Sequence, residues 1–318
     1  MALTTCIVMA TYRGAGYVGE QIESLFRQSI LPDSLVVRDD CSNDGTVTEL
    51  ERLKALSPFP FKIIQGDNNV GFKANFSEAL KAARADVYFF CDQDDVWLPE
   101  KMERHLEVYR RLPETLVVIS NQEIVGPKLE RSGRTSLDEI RKIRGDDREF
   151  VHGCCTSFSH QLHSIACARQ EGLGHDDWVH ILADACGQRR IIEEHLQLFR
   201  RHPQTTTSST FNTFEGPSKK KRSADTAKVV ENLRRRATIF QSTAQALEKT
   251  SGLPPEIKKV GVDKSRVYAD HAIKRARNIE KGLGGALPII ADALLGHQTT
   301  RVALADIYRV AIAAATKR

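Results

Sequence analysis

The 318-residue chain has little of what marks several protein classes. No run approaches the roughly 18 apolar residues of a membrane-spanning helix. The most apolar stretches, 286–295 and 302–315, are interrupted by Asp292, Asp306 and Arg309, so no crossing of a bilayer is expected. The first residues lack the basic start, apolar core and small-residue cleavage site of a secretion signal, which sets the expectation of a cytoplasmic protein. Seven cysteines (Cys6, Cys41, Cys91, Cys154, Cys155, Cys167 and Cys186) include no C-x-x-C pair, which offers no zinc spacing and suits reduced thiols. Aromatics are sparse beyond residue 205, where Tyr268 and Tyr308 are the only tyrosines and no nucleic-acid-binding motif occurs. Nucleic acid is therefore not an expected partner. No internal repeat is present.

What the chain does have is asymmetry of charge. Residues 1–205 carry 25 basic and 31 acidic side chains, net −6, whereas residues 206–318 carry 21 basic and 10 acidic, net +11. An acidic region of about 205 residues thus precedes a basic one.

The acidic region alternates strand-like and helix-like text. Runs rich in β-branched and aromatic residues at 3–10, 35–38, 61–65, 87–91 and 116–120 are separated by amphipathic segments at 17–28, 46–56, 72–83 and 99–112. Pro99 occupies a plausible first helical position. Such alternation predicts an α/β fold with a mostly parallel sheet, and ligands in such sheets bind beyond the carboxyl ends of the strands. The residues there are polar and specific: Thr11-Tyr12-Arg13-Gly14, then Asp39 to Thr46, then Gly66 to Gly71, then Asp92-Gln93-Asp94-Asp95. Three carboxylates within four residues repel one another unless a cation or solvent compensates, and hard oxygen donors suit Mg²⁺ or Mn²⁺. The same four residues also read as a solvated acidic turn before a helix. Asp39 and Asp40 exceed what an Asx turn into the helix at Thr46 requires; a carboxylate there can accept a base N–H or ribose hydroxyls.

The ordered set Ala10-Thr11-Tyr12-Arg13, Asp39-Asp40-Cys41-Ser42-Asn43-Asp44-Gly45-Thr46, Asn69-Val70-Gly71-Phe72-x-x-Asn75-Phe76 and Asp92-Gln93-Asp94-Asp95-Val96-Trp97-Leu98-Pro99-Glu100-Lys101 resembles the family 2 inverting glycosyltransferases, which have the GT-A nucleotide-sugar-binding fold. The last segment is similar to the bacterial rhamnosyltransferase-like branch. More thinly, the resemblance continues through 151–156, 174–178 and Phe199-Arg200-Arg201-His202, and it covers about residues 3–205.

This resemblance implies a donor site formed by Thr11, Tyr12, Arg13, Asp39 or Asp40, Asn69, Gly71, Asn75, Asp92 and Gln93. Asp92 and Asp94 match the family's D-x-D, with Asp94 the direct ligand to Mn²⁺ or Mg²⁺ and His202 an additional one. Asp176 matches the general base; Asp177 beside it is the alternative. His152, Gly153, Cys154, His175, Asp177 and Trp178 fall on the acceptor side. Arg200 and Arg201 would lie near the diphosphate. Lys73 and Lys101 read either as phosphate contacts or as exposed helix lysines. A helix is expected over 177–186 with Asp176 as its N-cap, and a strand over 191–199.

Residues 206–318 form a separate basic region by composition. A Thr/Ser-rich stretch, Gly216-Pro217-Ser218 and the basic run Lys219-Lys220-Lys221-Arg222 read as a linker, followed by helices at 227–249, 255–283 and 299–316. Such a region can rest on an anionic membrane face or pack as a helical lid. The expected activity is transfer of a sugar, with rhamnose from a dTDP donor foremost and UDP-sugars next, to a hydroxyl of a glycan or lipid-linked glycan. The alternatives are a GT-A-like nucleotidyltransferase and a non-catalytic nucleotide- or nucleic-acid-binding protein with a basic tail.

Overall fold

A computed structural model describes residues 2–144, 150–168, 173–203, 205 and 226–281. Its chain divides into two compact units, Met1–Lys219 and Lys220–Arg318.

The first unit is built on strands β1 (Thr5–Thr11), β2 (Ser34–Asp39), β3 (Phe61–Gln65), β4 (Val87–Cys91), β5 (Val96–Trp97), β6 (Val117–Val125), β7 (Arg131–Thr135), β8 (Thr156–Ser159) and β9 (Arg189–Arg200). Its helices are α1 (Val18–Phe26), α2 (Thr46–Lys54), α3 (Phe72–Lys81), α4 (Lys101–Arg111), α5 (Ser136–Arg144), α6 (His163–Cys167) and α7 (His175–Ala185). One sheet runs in the order β3-β2-β1-β4-β8-β6-β9-β5, with β7 paired to β6. β1 pairs in parallel with β2 and β4, and β2 with β3, the arrangement that helical crossovers produce. β8 is antiparallel to both β4 and β6, while β6 and β9 are parallel.

Burial explains the order. Every residue of β4 is buried, as a continuous apolar strand in a sheet covered on both faces must be. β3, at one edge, is mostly partly exposed. Val18, Ile22 and Leu25 repeat at helical spacing along α1 and bury against Ile7, Met9 and Phe89 in the main core.

Several bounds differ from expectation for identifiable reasons. β6 continues past Ser120 because its polar residues find partners inside the protein. Asn121 Oδ1 accepts the N–H groups of Gln122 and Leu137, and Glu123 is paired with Arg131. Pro99 lies in the turn before α4, which starts at Lys101 after Glu100. α7 begins at His175 with Gly174 as its N-cap, so Asp176 sits inside the first turn and is not the cap.

In the second unit α8 (Thr226–Lys249) and α9 (Pro255–Glu280) pair through Val230, Leu233, Ala276 and Ile279, with an Arg234–Glu280 ion pair at 2.8 Å. Both match expected helices. The expected helix 299–316 and the run Lys219 to Arg222 lie outside the described residues. Among the described residues no helix is long and apolar enough to cross a membrane.

Candidate active site

The carboxyl ends of β1, β2 and β4 deliver their following loops to one edge of the sheet. There they border a cavity of 1040 Å³, completed by residues 151–154, 175–176, Phe199, Arg200, His202 and Thr205. The cavity takes its shape from side chains that tie the loops together. Asp39 is 1% exposed, and its carboxylate accepts Thr11 Oγ1 (2.8 Å), Ser42 N (2.7 Å) and Ser42 Oγ (2.7 Å). Asp39 does not line the cavity, so of the two alternatives for the nucleoside it is Asp40 that reaches the wall. Asp40 does line it, while its oxygens accept Val70 N (2.9 Å) and Gly71 N (2.8 Å) and pair with Arg38 (3.2 Å). Asn75 donates to Thr11 O and Arg38 O, and Gln93 makes two bonds to the backbone of Tyr12. Thr11, Tyr12, Arg13, Asn69, Gly71, Asn75 and Gln93 all reach the cavity wall.

The acidic loop after β4 is divided by burial. Asp95 is fully buried and accepts Gln197 Nε2 (3.1 Å) and Arg200 N (3.0 Å), which fastens the loop to β9. Burial, with Asp94 beside it, pushes its carboxyl up to about 7. Asp92 faces the cavity; burial first, then Asp95, Asp94 and Asp176, hold its carboxyl well above the usual range. Asp94 also faces the cavity, with Oδ2 2.9 Å from Nε2 of His202, whose ring stacks on Tyr17 at 4.3 Å. His202 is thereby brought to Asp94 across 108 residues of sequence.

Lys101 is 0% exposed, which overturns both of its expected places. Its Nζ donates to Cys154 O (2.7 Å) and Gln197 Oε1 and sits 3.8 Å from the Trp97 ring centre, a buried cation behind the acidic loop. Arg200 is likewise committed, donating to Asp94 O (2.8 Å), Pro127 O (2.9 Å) and Glu20, so its guanidinium holds the loop although it borders the cavity.

Asp92, Asp95 and Cys154 each offer a ligand atom within 4.8 Å of the others. Asp95 is spent on β9, and burial pushes the Cys154 thiol well up, which keeps it protonated. Asp92 and Asp94 both line the cavity, Asp94 in contact with His202, and hard carboxylate donors of this kind suit Mg²⁺ or Mn²⁺.

Opposite stands α7. Asp177 Oδ2 accepts Gly174 N (2.9 Å), so this side chain caps its own helix and does not line the cavity. Asp176 does line it, its Oδ2 accepting Gly153 N (2.9 Å) and its Oδ1 accepting Asp177 N (3.0 Å). Burial works against its charge, but His175, His180 and the helix N–H groups outweigh that and hold its carboxyl below the ordinary value. Asp177 moves the other way, raised by burial and by Asp176. His152 is pushed down to about 4 by burial and borders the cavity as a neutral ring. His175 lies flat on Phe76 at 3.9 Å and edge-on to Phe90. Gly153 and Cys154 complete this wall, but Trp178 does not. It is buried, with Nε1 donating to Ile165 O (3.2 Å), and belongs to the core. Tyr17, Asp44, Phe72 and Phe76 also line the cavity. Sequence reasoning missed them because each lies in helical or turn text whose pattern already accounts for it.

A mostly parallel α/β sheet that brings a carboxylate pair and polar loops to one cavity has the architecture of the GT-A fold. The model of the family described as glycosyl transferase family 2 matches residues 6–165, and the chain belongs to that family. It is 32% identical over 217 residues to the protein Rv1520 of Mycobacterium tuberculosis, covering 62% of this chain and 58% of that protein. The chain thus spans less than two thirds of that relative's length. Over 103 residues it is 30% identical to the dTDP-rhamnosyl transferase RfbG of Shigella flexneri, covering 31% of this chain and 36% of that one. Its fold is similar to that of the mannosyltransferase PcManGT of Pyrobaculum calidifontis, solved with GDP-Man and Mn²⁺. The TM-score is 0.51 at 17% identity, over 100% of this chain and 87% of that one.

Proposed function

We propose that this glycosyltransferase moves a sugar, with inversion, from a nucleoside-diphosphate donor to a hydroxyl of a glycan or lipid-linked glycan. The observation that carries the reading is Asp176: a carboxylate lining the same cavity as Asp92 and Asp94, while Asp177 caps its own helix. Asp176 takes the proton of the acceptor hydroxyl as that oxygen bonds to the anomeric carbon. The bond from that carbon to the diphosphate oxygen breaks, and the nucleoside diphosphate leaves with the electron pair. No protonated acid is needed, because the leaving group is already activated. Asp92, Asp94 and His202 would hold a divalent ion, which when bound supplies positive charge to the diphosphate. Tyr12 and Asp40, which also line the cavity, would contact the nucleoside.

For the donor we favour dTDP-rhamnose over UDP-hexoses, on the resemblance of residues 92–101 to the rhamnosyltransferase-like branch and the likeness to RfbG. A cytoplasmic enzyme resting at the inner membrane face through its basic region, net +11 over residues 206–318, suits a lipid-linked acceptor. The experiment is thermal unfolding against a panel of nucleotides and nucleotide sugars with and without Mn²⁺, since a ligand of the native state raises stability by mass action. Product analysis with the stabilising donor follows. A metal-dependent shift with one sugar nucleotide and release of the nucleoside diphosphate supports the reading; pyrophosphate release from a nucleoside triphosphate, or no shift with any donor, overturns it.

A further inference from the structure

Asp176 and Asp177 are neighbours on one helical turn, yet only one faces the cavity, and what sets this lies partly outside α7. The turn Gly153–Cys155 crosses in front of the helix start, and its first N–H, from Gly153, meets Asp176 Oδ2 at 2.9 Å. A Cβ on Gly153 would stand 2.8 Å from His175 Nε2 and 3.4 Å from Asp176 Oδ2. From the other side, a Cβ on Gly174 would stand 2.5 Å from Asp176 Oδ1. The carboxylate therefore sits in a slot whose two walls are bare Cα atoms. The His175 ring cannot yield space, packed as it is against Phe76 and Phe90.

The turn is itself fixed from behind. Lys101 Nζ donates to the carbonyl of Cys154, one residue beyond Gly153. Through Gln197 the same ammonium is joined to Asp95 of the acidic loop. A continuous path of hydrogen bonds thus runs from the acidic loop through Gln197, Lys101 and the Gly153–Cys154 turn to Asp176.

We infer that Gly153 and Gly174 are positioning residues for the Asp176 carboxylate, the first on a turn that Lys101 anchors to the acidic loop, so that base and donor loop keep one spacing. The inference rests on Asp176 being the base. Displacing a reacting group by about 1 Å costs on the order of 10²-fold in rate, so small intrusions here should be felt in turnover and not in donor capture.

The test is Gly153→Ala and Gly174→Ala, each assayed for donor affinity, kcat and the pH profile of kcat, beside Asp176→Asn. Expected for both alanine variants is a 10- to 100-fold lower kcat with donor affinity within threefold of the parent. For Gly153→Ala the acid limb should also move to higher pH, since the displaced turn draws its N–H away from the ionised carboxylate. An inactive Asp176→Asn with near-parental kcat in both alanine variants would overturn the inference and leave the base assignment standing. Loss of donor affinity in parallel with kcat, or failure of both variants to fold, would also overturn it, because the glycines would then serve the whole domain. An active Asp176→Asn would remove the base assignment itself.

Discussion

Replacing Asp176 by Asn removes one negative charge while keeping the side-chain shape. The amide oxygen can accept only one of the two N–H groups that Asp176 now holds, Gly153 N or Asp177 N, and the other is left facing the amide NH2. Hydrogen bonds to charged groups contribute about 1.5–3 kcal/mol and neutral ones about 0.5–1.5. The fold therefore should lose on the order of 1 kcal/mol, which for a domain of this size lowers the melting temperature by only a few degrees. Turnover should lose far more. A positioned general base contributes about 10²–10⁴-fold, or roughly 3–5 kcal/mol of barrier at about 1.4 kcal/mol per decade. The two effects are separable in one preparation: thermal unfolding with and without donor reports folding and donor binding, and release of the nucleoside diphosphate in the presence of acceptor reports transfer. The expected outcome is an unchanged donor-induced stabilisation and transfer at one hundredth of the parent rate or below. Asp177→Asn is the companion. Losing the carboxylate that accepts the Gly174 N–H should cost about 1 kcal/mol of stability and leave kcat within a few-fold. If Asp176→Asn retained more than a tenth of the activity, or Asp177→Asn proved the inactive one, the division of labour between base and cap would be wrong.

Asp94→Ala takes a cavity-facing carboxylate from the Asp92, Asp94 and His202 set and should abolish the Mn²⁺-dependent part of nucleotide binding, measured by calorimetry; retained metal dependence would move the ion elsewhere. Trp178→Ala should cost about 3–5 kcal/mol in denaturant unfolding, the range for a large core aromatic, with donor affinity unaltered under native conditions; a selective loss of acceptor use would return this residue to the site. Asp86, which accepts both the N–H and the hydroxyl of Thr4 (2.9 and 2.7 Å), has its carboxyl held below the ordinary value chiefly by those bonds. Because its folded value lies below the unfolded one, its stabilisation is present above pH 4 and fades as pH falls through the folded value. Asp86→Asn should therefore destabilise at pH 7 and be nearly silent near pH 2; an equal cost at both would refute the charge-based account.

The pattern of the chain reveals what depends on runs of like residues. β1 to β4 are apolar enough to be read directly, and the loops after them announce the donor half. β5 is only two residues long, and β7 and β8 are short and polar. Thr156–Ser159 is a strand because Ser157 answers His105 and Tyr109 inside the core, a partnership with no local signature. In the site, the pairs Asp39–Asp40 and Asp176–Asp177 were visible, but not which member faces the cavity. That choice is made by Ser42 and by Gly174, through loop rotations that composition does not record. Lys101 reads as a surface lysine on an amphipathic helix, yet its side chain turns inward to donate to Cys154 O and Gln197 Oε1.

The bonds from Asp95 to β9 bear on the birth of the protein. The acidic loop leaves the ribosome about a hundred residues before Gln197 and Arg200, whose groups hold it closed, and residues 6–165 of the family match contain neither. Until β9 is made, the Asp95 carboxylate stands without its hydrogen-bond donors, and the nascent sheet lacks the strand that lies between β6 and β5. Activity should thus arise only when β9 docks, so that a ribosome-bound chain ending before Arg189 stays silent however complete its nucleotide-binding half.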